Sequence, residues 1–190
     1  MRLFVGLLPP PSARDELDRA LEPHRARWPG LRWLDAENWH VTLSFLGEVP
    51  DRVLPELRTR LARAAARHAP MTLSFTGAGA FPSAGRARVF WTGLRGDHLR
   101  LGRLADSAAA GARRAGAGQA EHRRFRPHLS LARCRPETDI GPLVEAFGPF
   151  SGAEWELGTV HLIRSDLGAK VRYETVEKWG LTARASREQS

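Results

Sequence analysis

Trp39-His40-Val41-Thr42-Leu43-Ser44-Phe45-Leu46-Gly47 decides how this chain is read, because a shorter copy, Pro127-His128-Leu129-Ser130-Leu131-Ala132-Arg133, stands in its second half. Both segments have the form His-x-(Thr/Ser)-apolar, and both are rich in residues that favour strands. Side chains two apart on a strand share a face. His40, Thr42 and Ser44 therefore fall on one face and Val41, Leu43 and Phe45 on the other, while His128 and Ser130 share a face backed by Leu129 and Leu131. Each segment presents an imidazole and a hydroxyl on a wet face and an apolar face for burial. Side by side, the two strands would make a groove with a histidine on each wall.

That pairing defines a chemistry. Histidine titrates near neutrality, so one imidazole can take a proton while another gives one. Facing each other, two imidazoles can split a phosphodiester without a metal: one activates the attacking oxygen and the other protonates the departing one. The Thr42 and Ser130 hydroxyls would hold non-bridging phosphate oxygens, and a guanidinium would neutralise the charge that builds there. Of seven histidines, His24, His68, His98, His122 and His161 lack a Ser or Thr two positions on; these five read as surface or core residues. A metal site would want three or four ligands, and each motif offers one histidine with no carboxylate on its wet face. No Gly-x-Ser-x-Gly elbow and no Gly-rich loop ending in Lys-Ser/Thr is present, which argues against a serine triad and against ATP use.

Working outward, Arg2–Leu8 reads as a buried strand ended by three prolines. Ser12, with Asp15 as a capping-box partner, starts a helix that runs to about Arg27. Leu31–Leu34 reads as a short strand. Asp51 caps a second helix to about His68, and Asp97 a third over His98–Arg114 with an apolar side of Leu99, Leu101, Leu104 and Ala108. Met71–Thr76 and Ala87–Gly93 are strand-like, joined by a long glycine- and proline-containing loop, Gly77–Arg86. The second histidine strand ends in a turn at Pro136, a short helix follows near Ile140–Phe147, and Trp155–Ser165 with Val171–Leu181 form a closing hairpin. Strand–helix–strand units followed by further strands favour an α/β or α+β sheet with helices on its outer faces. Residues 1–183 are expected to form one domain and 184–190 a frayed polar tail.

Composition sets bounds. The 190 residues are 42% hydrophobic and 26% charged, as in ordinary globular proteins. The single cysteine, Cys134, rules out an intrachain disulfide framework, and no apolar run reaches the length of a membrane helix. The net charge of +8 is nearly all arginine, lysine occurring only at Lys170 and Lys178. Two readings of that charge stand together: an anionic partner such as RNA, or a coding bias that swells Ala, Arg and Gly at once. The basic connector Gly116–Arg126 likewise reads as an RNA track or as a solvated loop.

On these residues the sequence resembles the two-histidine phosphoesterase superfamily, and within it the RNA 2′,3′-cyclic phosphodiesterases, historically called 2′-5′ RNA ligases. The resemblance spans nearly the whole chain, from Arg2-Leu3-Phe4-Val5 and Arg32-Trp33 through the two motifs, Phe81-Pro82-Ser83 and Val89-Phe90-Trp91, to the closing hairpin with Ser165 and Trp179. It implies an α+β, bilobal fold: two pseudo-symmetric lobes of antiparallel sheet with outer helices around a central groove. It also implies metal- and cofactor-independent opening of an RNA terminal 2′,3′-cyclic phosphate to a 2′-phosphate. His40 would be the proton donor and His128 the base, with 2′-5′ ligation as the reverse. Thr42, Ser130 (where the family usually has threonine) and Arg133 would bind the phosphate. A cytoplasmic monomer acting on an RNA end, with no membrane or obligatory protein partner, completes the implication. Arg133 poses a conflict, since strict alternation aims it away from His128; a bulge or the strand's end must re-aim it, or it is a surface residue. Phe45, Phe81, Phe125 and Trp91 are candidates for stacking on a base, with core packing the competing reading. Other substrates for the same chemistry are a small cyclic nucleotide, a 2′-5′ oligoadenylate or an ADP-ribose cyclic phosphate. A non-catalytic RNA-end-binding module is the reading outside enzymology.

Overall fold

Both histidine segments are strands, and they lie at the middle of one sheet. The computed structural model describes residues 1–118, 125–167 and 171–183. Among these it holds nine strands, β1 (Arg2–Leu7), β2 (Arg32–Trp33), β3 (Val41–Glu48), β4 (Met71–Phe81), β5 (Ala87–Gly96), β6 (His128–Thr138), β7 (Trp155–Leu157), β8 (Thr159–Leu167) and β9 (Val171–Gly180). Four α-helices accompany them: α1 (Pro11–Arg27), α2 (Leu54–Ala66), α3 (His98–Arg114) and α4 (Gly141–Phe147). The fold is α+β. The strands run β7-β4-β5-β6-β3-β1-β8-β9, with β2 joined to β6 off that path, and the pairings are antiparallel.

The β6–β3 seam, where Val41 pairs with Leu129, divides the sheet into two lobes of four strands. The chain reaches across it twice: α1 follows β1 but packs on β4 of the other lobe, and α3 follows β5 but packs on α2 and β3. Apolar side chains of the helices, among them Leu17 and Leu21 of α1, Leu57 and Leu61 of α2 and Leu101 and Leu104 of α3, are buried together with Leu3, Val5, Leu43, Phe90, Leu129 and Leu131 from the strands. Full burial of one such side chain stabilises the fold by roughly 1.5–3 kcal/mol. The cost of exposing these faces keeps the helices on one side of the sheet and leaves the histidine side open.

Several local expectations change. α1 begins at Pro11 with no side-chain cap bond, a 3-10 turn at Asp51–Val53 precedes α2, and Asp51 caps neither. Asp97 does precede α3, but its carboxylate accepts from the Thr72 N–H at 3.0 Å and from Arg100 at 3.1 Å, tying the helix start to β4. Leu99 is 80% exposed and leaves the apolar side of α3. The long loop after Thr76 is mostly strand, because β4 continues to Phe81 past a register shift between Thr76 and Gly79. β6 runs through Pro136, and Trp155–Leu157 pairs with β4 instead of starting the closing hairpin.

Candidate active site

His40 is delivered to the open face by its neighbour. The Trp39 indole is buried and donates its Nε1–H to the Leu34 carbonyl at 3.2 Å, which pins the 3-10 turn Ala36–Asn38 and forces the following side chain the other way. The His40 Nδ1 lies 2.8 Å from the Asn38 carbonyl oxygen. A carbonyl only accepts, so Nδ1 carries the proton and Nε2 is the nitrogen that remains to take or give one. His128 repeats the device: its Nδ1 lies 2.7 Å from the Arg126 carbonyl oxygen. Each imidazole is thus held to the backbone two residues before it, with Nε2 left for chemistry.

The seam brings the motifs together. Val41 faces Leu129, and the same antiparallel register sets Thr42 across from His128 and His40 across from Ser130. Diagonal neighbours of this kind are about 7–8 Å apart, a separation that one phosphate can bridge. Burial pushes both imidazoles below the ordinary histidine pKa, against the raising effect of the carbonyl bonds; for His40 the charges of Arg133 and His128 lower it further, and for His128 those of Arg126 and Arg133 do so. Among the described residues neither the Thr42 nor the Ser130 hydroxyl has a protein hydrogen-bond partner, and both are half-buried.

Arg133 sits where alternation forbids it, and the backbone explains why. Between Phe90↔Ala132 and Trp91↔Ser130 the β5 strand advances one residue and β6 two, leaving Leu131 as an extra residue. Beside the bulge β6 also takes β2 as a partner, the Leu34 N–H donating to the Leu131 carbonyl at 2.9 Å. Leu131 and Ala132 are both buried, and Arg133 emerges on the side of His128 and Ser130, close enough for its charge to act on both imidazoles. The same thing happens in β3. Between Val5↔Ser44 and Gly6↔Thr42, Leu43 is the extra residue. Ser44, paired with buried Val5, leaves the histidine face, and Phe45, placed with the core by alternation, is 54% exposed on the groove side.

Aromatic rings line each wall. The His40 imidazole packs against Phe4 and Tyr173, each with ring centres 4.7 Å away. His128 packs against Phe81 at 4.9 Å and Trp91 at 6.1 Å, and the Arg126 guanidinium covers Phe81 at 5.1 Å, a cation–π contact worth about 0.5–1 kcal/mol at an exposed site. Gly79 makes room for this wall: a Cβ there would lie 2.2 Å from the Trp91 ring. The packing of Phe4 and Tyr173 against His40 has no counterpart in the sequence reading, and Arg126 enters that reading only as the end of the basic connector. Their roles depend on β1 and β9 sharing a lobe with β3 and on a carbonyl contact, and neither leaves a motif.

All five residues expected at the site, His40, Thr42, His128, Ser130 and Arg133, meet at the seam. His24, His68, His98 and His161 do not join it, and His122 lies outside the described residues, as do Arg123 and Arg124 of the basic connector and the tail from 184. Phe125 packs against the core. Among the described residues no cluster of His, Cys, Asp and Glu is arranged to hold a metal ion, Cys134 is buried with its thiol pKa raised by that burial, and no helix is long and apolar enough to cross a membrane.

Comparison with known proteins places this geometry. The family described as LigT like Phosphoesterase matches residues 7–91. An RNA 2′,3′-cyclic phosphodiesterase of Archaeoglobus fulgidus is 32% identical over 171 residues, which are 90% of this chain and 94% of that one. The crystal structure of TT0787 of Thermus thermophilus superposes with a TM-score of 0.82 at 29% identity, covering 97% of this chain and all of the other. That of E. coli LigT complexed with 3′-AMP superposes with a TM-score of 0.75 at 28% identity, covering 96% of this chain and 98% of the other.

Proposed function

Because the chain belongs to the LigT-like phosphoesterases, the family of the RNA 2′,3′-cyclic phosphodiesterases, we propose that it hydrolyses the 2′,3′-cyclic phosphate at an RNA end to a 2′-phosphate, with His40 as general acid and His128 as general base. The observation that carries this reading is the matched pair of imidazoles at one seam, each fixed through Nδ1–H to the carbonyl two residues back and each with no Nε2 partner among the described residues. A module that only bound a phosphate would need cations and not two titrating groups.

In the reaction, His128 Nε2 takes a proton from water as its oxygen attacks phosphorus, and His40 Nε2–H gives a proton to O3′ as the P–O3′ bond breaks. The product carries a 3′-hydroxyl and a 2′-phosphate. Solvent then restores both imidazoles, and the same groups in the same roles would serve 2′-5′ ligation, with a 5′-hydroxyl attacking in place of water. The Thr42 and Ser130 hydroxyls donate to the non-bridging oxygens, and the Arg133 guanidinium offsets the charge that grows on them. Both imidazoles are depressed in the free protein, so the acid must gain its proton on binding; an anionic phosphate beside His40 favours the charged form and supplies that shift. The choice of His40 as the acid follows the family resemblance, and one difference between the walls supports it. Both walls carry rings, Phe4 and Tyr173 beside His40 and Phe81 and Trp91 beside His128. The nucleoside, whose O3′ departs, goes beside the exposed Phe45 ring on the His40 side, leaving the Arg133 guanidinium for the phosphate oxygens and the incoming water.

The test is hydrolysis, in EDTA, of an oligoribonucleotide ending in a 2′,3′-cyclic phosphate. A 2′-phosphate should form, and His40→Ala and His128→Ala should each lower kcat by about 10²–10⁴, the double variant little further because the pair acts as a unit. Dependence on added metal would refute the mechanism, and a 3′-phosphate product would reverse the roles of the imidazoles.

A further inference from the structure

One row of paired residues leads away from the reacting centre along the open face. Thr42 pairs with Gly6, Gly6 with His161, and His161 with Lys178. Directly paired residues on antiparallel strands point to the same face, so His161 and Lys178 stand on the groove side with Thr42, separated from it by a residue without a side chain. That gap is structurally fixed: a Cβ on Gly6 would lie 3.1 Å from the Val41 carbonyl oxygen and 3.2 Å from the Phe4 ring. The His161 Nδ1 is 3.3 Å from the Thr175 Oγ1, and the Lys178 charge is near enough to lower the imidazole pKa, second to burial. The carboxylates of β9 are engaged elsewhere, Glu177 with Arg58 at 2.9 Å and Glu174 with Arg164 at 2.7 Å. Among the described residues Lys178 makes no ion pair. The row therefore ends in an ammonium, an imidazole and a hydroxyl with no anion to answer them.

We infer that His161, Thr175 and Lys178 form a second phosphate subsite, which receives the phosphate on the 5′ side of the terminal nucleoside, so that the groove is built for an oligoribonucleotide and not for a lone cyclic nucleotide. The inference rests on the reaction proposed above and names the substrate class for it. Neighbouring strands are about 4.8 Å apart, which puts the backbone of His161 about 10 Å from that of Thr42 and leaves one nucleoside to span the interval over Gly6, against which the Phe4 ring and Ile163 pack. The exposed Phe45 ring, 6.2 Å from the buried Phe4 ring, flanks that interval. A rival track exists on the other lobe, a cleft of about 330 Å³ between Arg88, Arg133 and Arg135. It lies beyond the phosphate, on the side of the attacking water, where an RNA chain ending in a cyclic phosphate has no further residue to place. Glu137 already holds Arg86 and Arg88 there.

The test compares kcat/KM for adenosine 2′,3′-cyclic phosphate, for the same compound carrying a 5′-phosphate, and for a triribonucleotide ending in a 2′,3′-cyclic phosphate. In the unaltered protein the 5′-phosphate should raise kcat/KM by about tenfold, the scale of one charge-assisted contact, and added salt should erode the gain. Lys178→Glu and His161→Gln should bring the ratio of phosphorylated to unphosphorylated substrate close to one, with the unphosphorylated mononucleotide as the internal reference within each variant. A ratio near one in the unaltered protein, or a ratio retained in both variants, overturns the subsite. Absence of turnover with all three substrates removes the reaction itself, and the subsite with it.

Discussion

In β3 the side chain five positions after the histidine is Phe45, and in β6 it is Arg133; in both strands a bulge three positions after the histidine turns that side chain onto the groove face. The backbones also agree in the bond from Nδ1 to the carbonyl two residues back. The strands therefore solve one problem of aim with the same devices and diverge in the side chain that is aimed. One wall ends in an exposed phenyl ring, the other in a guanidinium. A symmetric frame holding asymmetric ends gives the groove a direction. In the mechanism proposed above, two similarly held imidazoles act as acid and base because what lies beside them differs.

Removing the cation tests that contrast most severely. Arg133→Gln should lower kcat/KM by about 10–100-fold, the loss expected for hydrogen bonds to a charged group. It should also move the pH profile. The Arg133 charge lowers the pKa of both imidazoles, so its removal raises both, and the bell of kcat/KM, which reports the free enzyme, shifts to higher pH. Because the two rings are coupled, the limbs belong to the pair and should move together. Phe45→Leu carries no charge change and should leave the profile where it is. A profile unmoved by Arg133→Gln would mean that the guanidinium does not act on the imidazoles.

Arg133 also marks where the sequence stops being legible. The two motifs, their faces and the helices between them follow from alternation and periodicity, which are properties of single segments. A bulge belongs to a pair of strands: Leu131 becomes an extra residue where β6, still paired with β5, also takes β2 as a partner, and nothing in Ser130-Leu131-Ala132 announces it. Alternation sends Arg133 away from His128, and the bulge brings its side chain back to the histidine face. Alternation misplaces Phe45 and Ser44 for the same reason, since Leu43 is extra only in the register of β3 against β1. The stretch after Thr76 failed differently. Its glycines resemble a loop, yet Gly79 is the strand position on which the Trp91 ring lies.

The hydroxyls come next in size. Thr42→Val and Ser130→Ala each remove one donor to a non-bridging oxygen, and each should lower kcat by about tenfold. Ser130→Thr should change kcat by less than about twofold, because the hydroxyl stays and the site asks nothing of the methyl. If the walls divide the substrate as their chemistry indicates, neither change should alter which P–O bond breaks. A shift in the ratio of 2′- to 3′-phosphate product in Ser130→Ala would mean that the hydroxyls, and not the walls, set the orientation.

The smallest effect on rate carries the sharpest test of direction. Phe45 is exposed and touches the site only through its ring, 6.2 Å from that of Phe4, so Phe45→Leu should raise KM only about three- to fivefold, the low end of what stacking on a base contributes. Phe45→Arg makes the two walls alike. With a cation five residues after each histidine, the nucleoside loses its reason to lie beside His40, and some molecules will bind reversed, with His128 protonating the departing oxygen. The product should then include 3′-phosphate alongside 2′-phosphate, while the rate falls only several-fold because both imidazoles and both hydroxyls remain. If Phe45→Arg still yields only 2′-phosphate, the assignment of acid and base cannot come from the contrast at this position and must lie in the deeper rings around His40, Phe4 and Tyr173.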